Sequence, residues 1–338
     1  MPEFREILEE AKALTDNPDP HAKFTPVDAT RQKYIKLLAD YTKRDTILYS
    51  SKEGGPPNIV SVNNDDIHAF MAALAGLNGT ELDLIINTNG GDPNAADAIM
   101  RYLRKKYNHI RAIVPLKAMS AGTIMACGCD EVVMGKHSYL GPIDPQFIMM
   151  TPMGARAVPA FSIEEQFKEA KKDISKNPDA LKAWLPILNS LAPAMLFEAR
   201  KSITFTREIV EEFLDKHMFR GEDGTKAKSI STHLADHSNF NSHGKKLDSD
   251  YMKMLGVKVV DLEAEQELQE LVLSVFHATA LCLEGTNAVK IIANNADRFL
   301  VRNWKQPPTR TQPAKLSAPR NKPSKPRKKS AKPNWKKK

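Results

Sequence analysis

Between residues 65 and 134 the spacing of the hydrophobic positions changes repeatedly, and each change predicts a new element. Helical spacing predicts helices over residues 66–77 and 94–106, and short apolar runs predict strands over 82–87, 112–115 and 131–134. An apolar helix is also expected between the last two strands, ending at Cys129. Strands that alternate with helices over short connections indicate parallel βαβ units, and therefore an α/β core.

The flanking segments are mainly helical in pattern. A helix over residues 31–41 and a strand over 46–49 are predicted before the core, and helices over 162–176, 181–216 and 261–292 are predicted after it. These patterns divide the chain into four parts. They are a helical arm (1–30), an α/β core (31–160), a helical extension with closing α/β elements (161–301) and a disordered basic tail (302–338).

The net charge of +8 is unevenly distributed. Residues 302–338 contain 14 Lys and Arg and no Asp or Glu, which leaves 35 basic and 41 acidic residues, a charge of −6, in the rest. Any binding of nucleic acid or another polyanion must therefore rest on the tail, where Trp304 and Trp335 offer surfaces for base stacking. Such binding would be nonspecific because no base-reading element accompanies the charge. A tail that is merely solvated is the alternative.

The cysteine pattern and the N-terminal residues predict a cytoplasmic protein. Cys127, Cys129 and Cys282 form neither a disulfide framework nor a metal-ligand pattern, so we expect reduced core residues, no bound metal and no cofactor. The N-terminus lacks the apolar segment of a secretory signal, and no apolar stretch of 18 residues follows it. We therefore expect no membrane span.

Two turns of the predicted core carry the chemistry. Ser120 lies in AMSAGT between a predicted strand and a predicted helix, where unpaired amides and the helix dipole favour developing negative charge. Gly90 and Gly91 lie in NTNGGD, also between a strand and a helix. Amides of Gly91 and Ala121 would together form an oxyanion hole. Each feature also has a simpler interpretation, a helix cap for the serine and an ordinary turn for the glycines.

These motifs together resemble a known family. NTNGGD, AMSAGT and GKHSYLGPIDPQF resemble ClpP and SppA-type serine peptidases, and residues 30 to 302 are similar to the serine dehydrogenase proteinase family, which is related to peptidase family S49. The resemblance implies a ClpP/crotonase-like spiral of βαβ units with a helical C-terminal extension. It further implies a homo-oligomeric serine peptidase that acts on peptides or proteins through an acyl-enzyme at Ser120, with an oxyanion hole at Gly90, Gly91 and Ala121. Dehydrogenase activity is not expected because no GxGxxG motif follows a strand.

The sequence leaves the general base open. ClpP-type enzymes use a histidine about two dozen residues after the serine, and the corresponding stretch GPIDP has none. SppA-like enzymes use a Ser-Lys dyad, and Lys168, Lys171 and Lys172 fall near the spacing of that lysine, so a lysine base is favoured, with Lys168 and Lys172 ahead of Lys171. His137 is another candidate base. Asp144 would orient the base or simply fix its loop.

Other interpretations remain. His233 and His237 have the spacing of a metal-binding pair, but no HExxH motif surrounds them, and we expect their polar segment to shape the rim of the substrate site. A crotonase-like enzyme acting on acyl-thioesters would also use paired amides around an oxyanion. An inactive scaffold whose basic tail binds nucleic acid is the third alternative.

Overall fold

The fold is taken from a computed structural model, which describes residues 4–16, 22–151 and 154–305. The described residues contain twelve strands. These are β1 (Asp45–Ser51), β2 (Glu81–Asn87), β3 (His109–Val114), β4 (Lys117–Ala118), β5 (Glu131–Met134), β6 (Tyr139–Leu140), β7 (Gln146–Thr151), β8 (Gly154–Pro159), β9 (Leu247–Asp248), β10 (Val259–Asp261), β11 (Ala288–Asn294) and β12 (Phe299–Asn303).

The same residues contain twelve α-helices, together with shorter 3₁₀ and π segments. The α-helices are α1 (Phe4–Asp16), α2 (Pro26–Thr42), α3 (Pro57–Val60), α4 (Asp66–Ala73), α5 (Pro93–Arg104), α6 (Ala121–Cys127), α7 (Ala160–Lys176), α8 (Leu181–Leu188), α9 (Met195–Phe213), α10 (Thr225–Ala235), α11 (Ser249–Met254) and α12 (Gln266–Gly285).

A seven-stranded sheet organises the core, in the order β10-β5-β3-β2-β1-β11-β12. The strands from β10 to β1 pair in parallel, and β11 and β12 add to the β1 edge as antiparallel strands. The predicted parallel α/β core is therefore confirmed.

Helices cover both faces of this sheet. Side chains alternate along β1, so that Ile47 and Tyr49 pack against the side of α4, α5 and α6, while Leu48 packs against the side of α2 and α12. Both faces are buried, which explains why the parallel strands consist of continuous apolar runs. Because helices cover both faces, a functional site is expected in the loops at the carboxyl ends of the strands.

A three-stranded sheet lies beside those carboxyl ends, in the order β4-β6-β9. Strand β4 pairs in parallel with β6, and β9 pairs antiparallel with β6, with Leu140 opposite Leu247. This small sheet is too short to be recognised from sequence periodicity, yet it determines which loops meet.

The structure corrects two expectations about the helical extension. The helix predicted over 261–292 is shorter, and the apolar run AVKIIAN forms strand β11 against β1. Thr286 is already extended (φ −132°, ψ −176°), so the helix ends before this run. The predicted 181–216 helix is interrupted between α8 and α9, where Ala194 has φ +65°, whereas Pro186 lies within α8 without ending it.

At the C-terminal end, β12 includes Arg302 and Asn303, two residues that the sequence had assigned to the disordered tail. The rest of that predicted tail, from residue 306 onward, lies outside the described residues. Among the helices that the structure describes, none is long and apolar enough to cross a membrane.

Candidate active site

Ser120 occupies a strained turn between strand β4 and helix α6. Its backbone has φ +50° and ψ −114°, a conformation that residues other than glycine rarely adopt. Ser120 is also the N-cap residue of α6, but its side chain makes no capping hydrogen bond. Strain of this kind costs of order 1–3 kcal/mol and is concentrated at functional sites. A sharp strand-to-helix turn of this sort is how α/β-hydrolases expose their nucleophilic serine. Within the described chain, the Ser120 hydroxyl forms no hydrogen bond to another residue.

The glycine turn lies directly against this serine. Gly90 has φ +97°, and a Cβ placed on it would lie 2.5 Å from the Met119 carbonyl oxygen, 2.7 Å from the Ser120 Cβ and 3.0 Å from the Ala121 nitrogen. Only glycine allows this approach. The two loops that the sequence singled out are therefore in contact.

The amides of Gly91 and Ala121, on the two sides of this junction, have no hydrogen-bond acceptor among the described residues. The Gly90 amide differs, since it donates to the Thr88 hydroxyl at 3.2 Å. Gly91 is held in a parallel bridge with Val62. Of the three residues predicted for the oxyanion hole, Gly91 and Ala121 thus have amides free to bind an oxyanion.

Asp144 is buried and pairs with two histidines. Its Oδ2 lies 2.7 Å from His237 Nδ1, and its Oδ1 lies 2.7 Å from His243 Nδ1. Gln146 Nε2 donates a third bond to Oδ2 at 2.9 Å. Asp144 is 2% exposed, whereas His237 and His243 are 14% and 28% exposed. Each imidazole uses Nδ1 toward the carboxylate, so its Nε2 is available for proton transfer.

The three-stranded sheet brings Asp144 and His243 to the end of the fold where Ser120 lies. Ser120 follows β4, and Asp144 follows β6, which runs parallel to β4. Because β9 is antiparallel to β6, the residues before β9 lie at this same end, and His243 is four residues before Leu247. The Thr123 hydroxyl, one turn after Ser120, accepts from the Gly141 amide at 3.0 Å and fixes the chain that leads to Asp144.

The lysines predicted as bases are exposed on α7. Lys168 Nζ lies 2.8 Å from Glu165 Oε1 and 3.3 Å from Glu164 Oε1. Hydrogen bonds to Glu165 and then Glu164 raise the pKa of Lys168, which is the opposite of what a lysine base requires. Lys172, one turn further along α7, is exposed as well.

His137 is exposed in the turn before β6. Ser120 follows the parallel strand β4, so His137 and Ser120 lie at opposite ends of the small sheet. The structure thus places Ser120, the glycine turn and Asp144 at one end of the small sheet, and within the described residues no hydrogen bond or ion pair joins them to Lys168, Lys172 or His137.

The histidine partners of Asp144 are candidate site residues that the sequence interpretation did not connect with Asp144. The sequence interpretation considered His233, His237 and His243 together, first as a possible metal site and then as part of the rim of the substrate site. In the structure His233 Nε2 instead bonds the Tyr251 hydroxyl at 2.8 Å, and the described residues contain no cluster suited to a metal ion. The available signal was a polar segment with several histidines just before the GVKV strand, but its distance from Ser120 matched neither the ClpP nor the SppA spacing.

A buried α/β core with a strained serine beside a glycine turn, and an Asp-His pair from neighbouring loops, is an arrangement suited to a serine hydrolase. A model of the ClpP-like SDH-type serine proteinases matches residues 62–280. The chain belongs to this family of serine peptidases, and the family resemblance seen in the sequence is confirmed.

Two relatives come from Methanocaldococcus jannaschii, and both are uncharacterized proteins. One is 29% identical over 133 residues, covering 38% of this chain and 46% of the relative. The other is 31% identical over 231 residues, covering 68% of each chain. The match thus spans less than half of the first relative and about two thirds of the second.

Among solved structures, a mutant of the 1510-N membrane-bound stomatin-specific protease in complex with a substrate peptide is 13% identical, with a TM-score of 0.38, covering 72% of this chain and 83% of that one. A probable enoyl-CoA hydratase/isomerase from Mycobacterium abscessus is 12% identical, with a TM-score of 0.31, covering 68% of this chain and 75% of that one. These likenesses are too distant to assign a substrate.

Proposed function

We propose that the protein hydrolyses peptide bonds through an acyl-enzyme at Ser120, with a Ser-His-Asp arrangement in place of the expected Ser-Lys dyad. The single observation that carries this proposal is the placement of the strained Ser120 and the buried Asp144-histidine cluster at one end of the β4-β6-β9 sheet. Membership in a serine proteinase family supports peptides or proteins as substrates.

His243 is the proposed general base, and two observations favour it over His237. It is the more exposed of the two imidazoles, and the strand that follows it, β9, is paired with the β6 strand that leads to Asp144. The ring of His237 instead packs against Phe161, with the ring centroids 5.8 Å apart. His237 would therefore position the carboxylate rather than transfer the proton.

In the proposed reaction, the Ser120 oxygen attacks the carbonyl carbon of the scissile peptide while its proton passes to His243 Nε2. The amides of Gly91 and Ala121 bind the oxyanion of the tetrahedral intermediate. His243 then gives the proton to the leaving amine, the C–N bond breaks, and an ester on Ser120 remains. Water activated by the same imidazole hydrolyses this ester and regenerates the serine.

Steady-state and burst kinetics on chromogenic peptide esters test the assignment. The wild-type protein should release a burst of product equal to the enzyme concentration, as expected of an acyl-enzyme. His243→Ala should lower kcat by about 10²–10⁴-fold, the usual contribution of a general base. His237→Ala, the matched control on the same carboxylate, should lower kcat far less. The opposite order would assign the base to His237, and unchanged activity in both variants would reject a histidine base.

Two kinds of binding partner are proposed, further copies of this chain and polyanions. A homo-oligomer is expected from the family resemblance, and the β7-β8 hairpin offers an apolar surface for it, with Ile148 70% and Met150 81% exposed. The basic segment after residue 305 is proposed to bind polyanions nonspecifically, because it has many Lys and Arg residues and no acidic ones.

A further inference from the structure

A buried ion pair lies behind the glycine turn and joins strand β11 to helix α4. Lys290 is 1% exposed and Asp66 is 2% exposed. The Lys290 ammonium lies 2.8 Å from both carboxylate oxygens of Asp66, and the Tyr49 hydroxyl donates to Asp66 Oδ2 at 2.8 Å. Burial lowers the pKa of Lys290, which reflects the cost of placing an ammonium group here.

This pair fixes a short backbone segment at both of its ends. Lys290 Nζ donates to the Ser61 carbonyl oxygen at 2.7 Å, and the Asn63 amide donates to Asp66 Oδ2 at 3.1 Å. Val62, between these two residues, is consequently held in place by contacts made on either side of it.

Val62 in turn determines the position of Gly91. The Val62 amide donates to the Gly90 carbonyl oxygen at 2.9 Å, and the Asp92 amide donates to the Val62 carbonyl oxygen at 2.8 Å. A Cβ on Gly91 would lie 2.3 Å from the Val62 carbonyl oxygen, so the two backbones are in direct contact. A peptide unit bonded on both sides in this way has little freedom to rotate.

We propose that the Lys290-Asp66 pair is a positioning element that aims the Gly91 amide at the oxyanion. This proposal rests on the proposed function, in which that amide is one of the two oxyanion donors. A buried ion pair is weak evidence for stability alone, since apolar replacements of similar volume are often neutral or stabilising. A role in holding the Ser61–Asn63 backbone gives the pair a reason to be at this site.

The test uses the double variant Asp66→Asn with Lys290→Met, which removes both charges while keeping side chains of similar shape. A single substitution would leave one charge buried and unpaired, so the double variant is the better probe of position. The control is the double variant Arg104→Met with Asp130→Asn. It removes a second ion pair, 2.7 Å apart and partly buried, which lies at the amino ends of strands β3 and β5, away from the glycine turn.

The double variant should lower kcat on a peptide ester by about 10–100-fold with KM nearly unchanged, because a displaced oxyanion donor weakens only the transition state. A peptide aldehyde, which forms an oxyanion with the serine, should lose affinity by a similar factor. Binding of an uncleavable peptide of the same sequence and the pH profile of kcat/KM should not move, since the base is untouched. Control activity should remain near the wild-type level.

Tyr49→Phe removes only one hydrogen bond to Asp66 and replaces the double variant in the test if that variant does not fold. It should lower kcat in the same way, by a smaller factor. A wild-type kcat in the folded double variant would overturn the positioning role, and so would a wild-type kcat in Tyr49→Phe if only that variant folds. Equal losses of affinity for the aldehyde and for the uncleavable peptide would also overturn it. A wild-type protein that fails to turn over peptide esters would instead overturn the proposed function itself, so the two failures are distinguishable.

Discussion

Gly90→Ala is the substitution that tests the contact between the glycine turn and the serine turn most sharply. The added Cβ would lie 2.5 Å from the Met119 carbonyl oxygen and 2.7 Å from the Ser120 Cβ. Reaching an ordinary contact of 3.4 Å requires one turn to move by about 0.9 Å. Neither neighbour is the end of a flexible side chain, so the backbone of one of the two turns must shift and the spacing between Gly90 and Ser120 must change.

Two effects add in this variant. Alanine at φ +97° costs about 1–2 kcal/mol, and the steric overlap costs about 1–3 kcal/mol more in stability. A displacement near 1 Å at a reacting group reduces catalysis by about 10²-fold. We therefore expect a destabilised protein whose kcat/KM, measured at a temperature where it is fully folded, is reduced by about two orders of magnitude.

Gly221→Ala is the matched control, because Gly221 has φ +86° but a Cβ there would meet nothing within 4 Å. It should cost only the conformational part, about 1–2 kcal/mol, and leave kcat/KM unchanged. Urea unfolding followed by circular dichroism gives the stabilities, and peptide-ester hydrolysis gives the rates. If Gly90→Ala behaves like Gly221→Ala in both measurements, the two turns are not in the contact described.

Three further predictions concern other parts of the chain. Lys168→Ala should leave kcat unchanged, because the ammonium is exposed and paired with glutamates; a loss above about 10²-fold would restore the Ser-Lys dyad. Burial lowers the pKa of His217 to about 4, so between pH 6.5 and 4 the unfolded chain binds more protons than the folded one. The free energy of unfolding should therefore fall by up to about 3 kcal/mol as the pH is lowered through this window. In urea unfolding, the His217→Gln variant should lack that part of the fall. Removal of residues 306–338 should abolish retention on heparin at low salt, and full retention by the truncated protein would place the polyanion site elsewhere.

The alternation of strands and helices in the core was predictable because its strands are buried on both faces. Residues 82–87 and 131–134 read as strands and form β2 and β5. The run AVKIIAN was misread as helix because an apolar run alone does not separate a buried strand from a helix, and only its pairing with β1 decides.

The site was predictable in part. Ser120 and the glycine pair follow strands, so their closeness follows from parallel topology. Asp144 was identified without its partners, because His243 is 99 residues further along the chain. That pairing depends on the antiparallel register of β6 and β9, two strands of two residues each that have no periodicity to reveal them.

Labelling with a fluorophosphonate probe, followed by mass-spectrometric mapping, tests the central claim most directly. We expect a single adduct on Ser120 in the wild-type protein and none in folded Ser120→Ala. An adduct on a different residue, or undiminished labelling of Ser120→Ala, would contradict the assignment of Ser120 as the nucleophile.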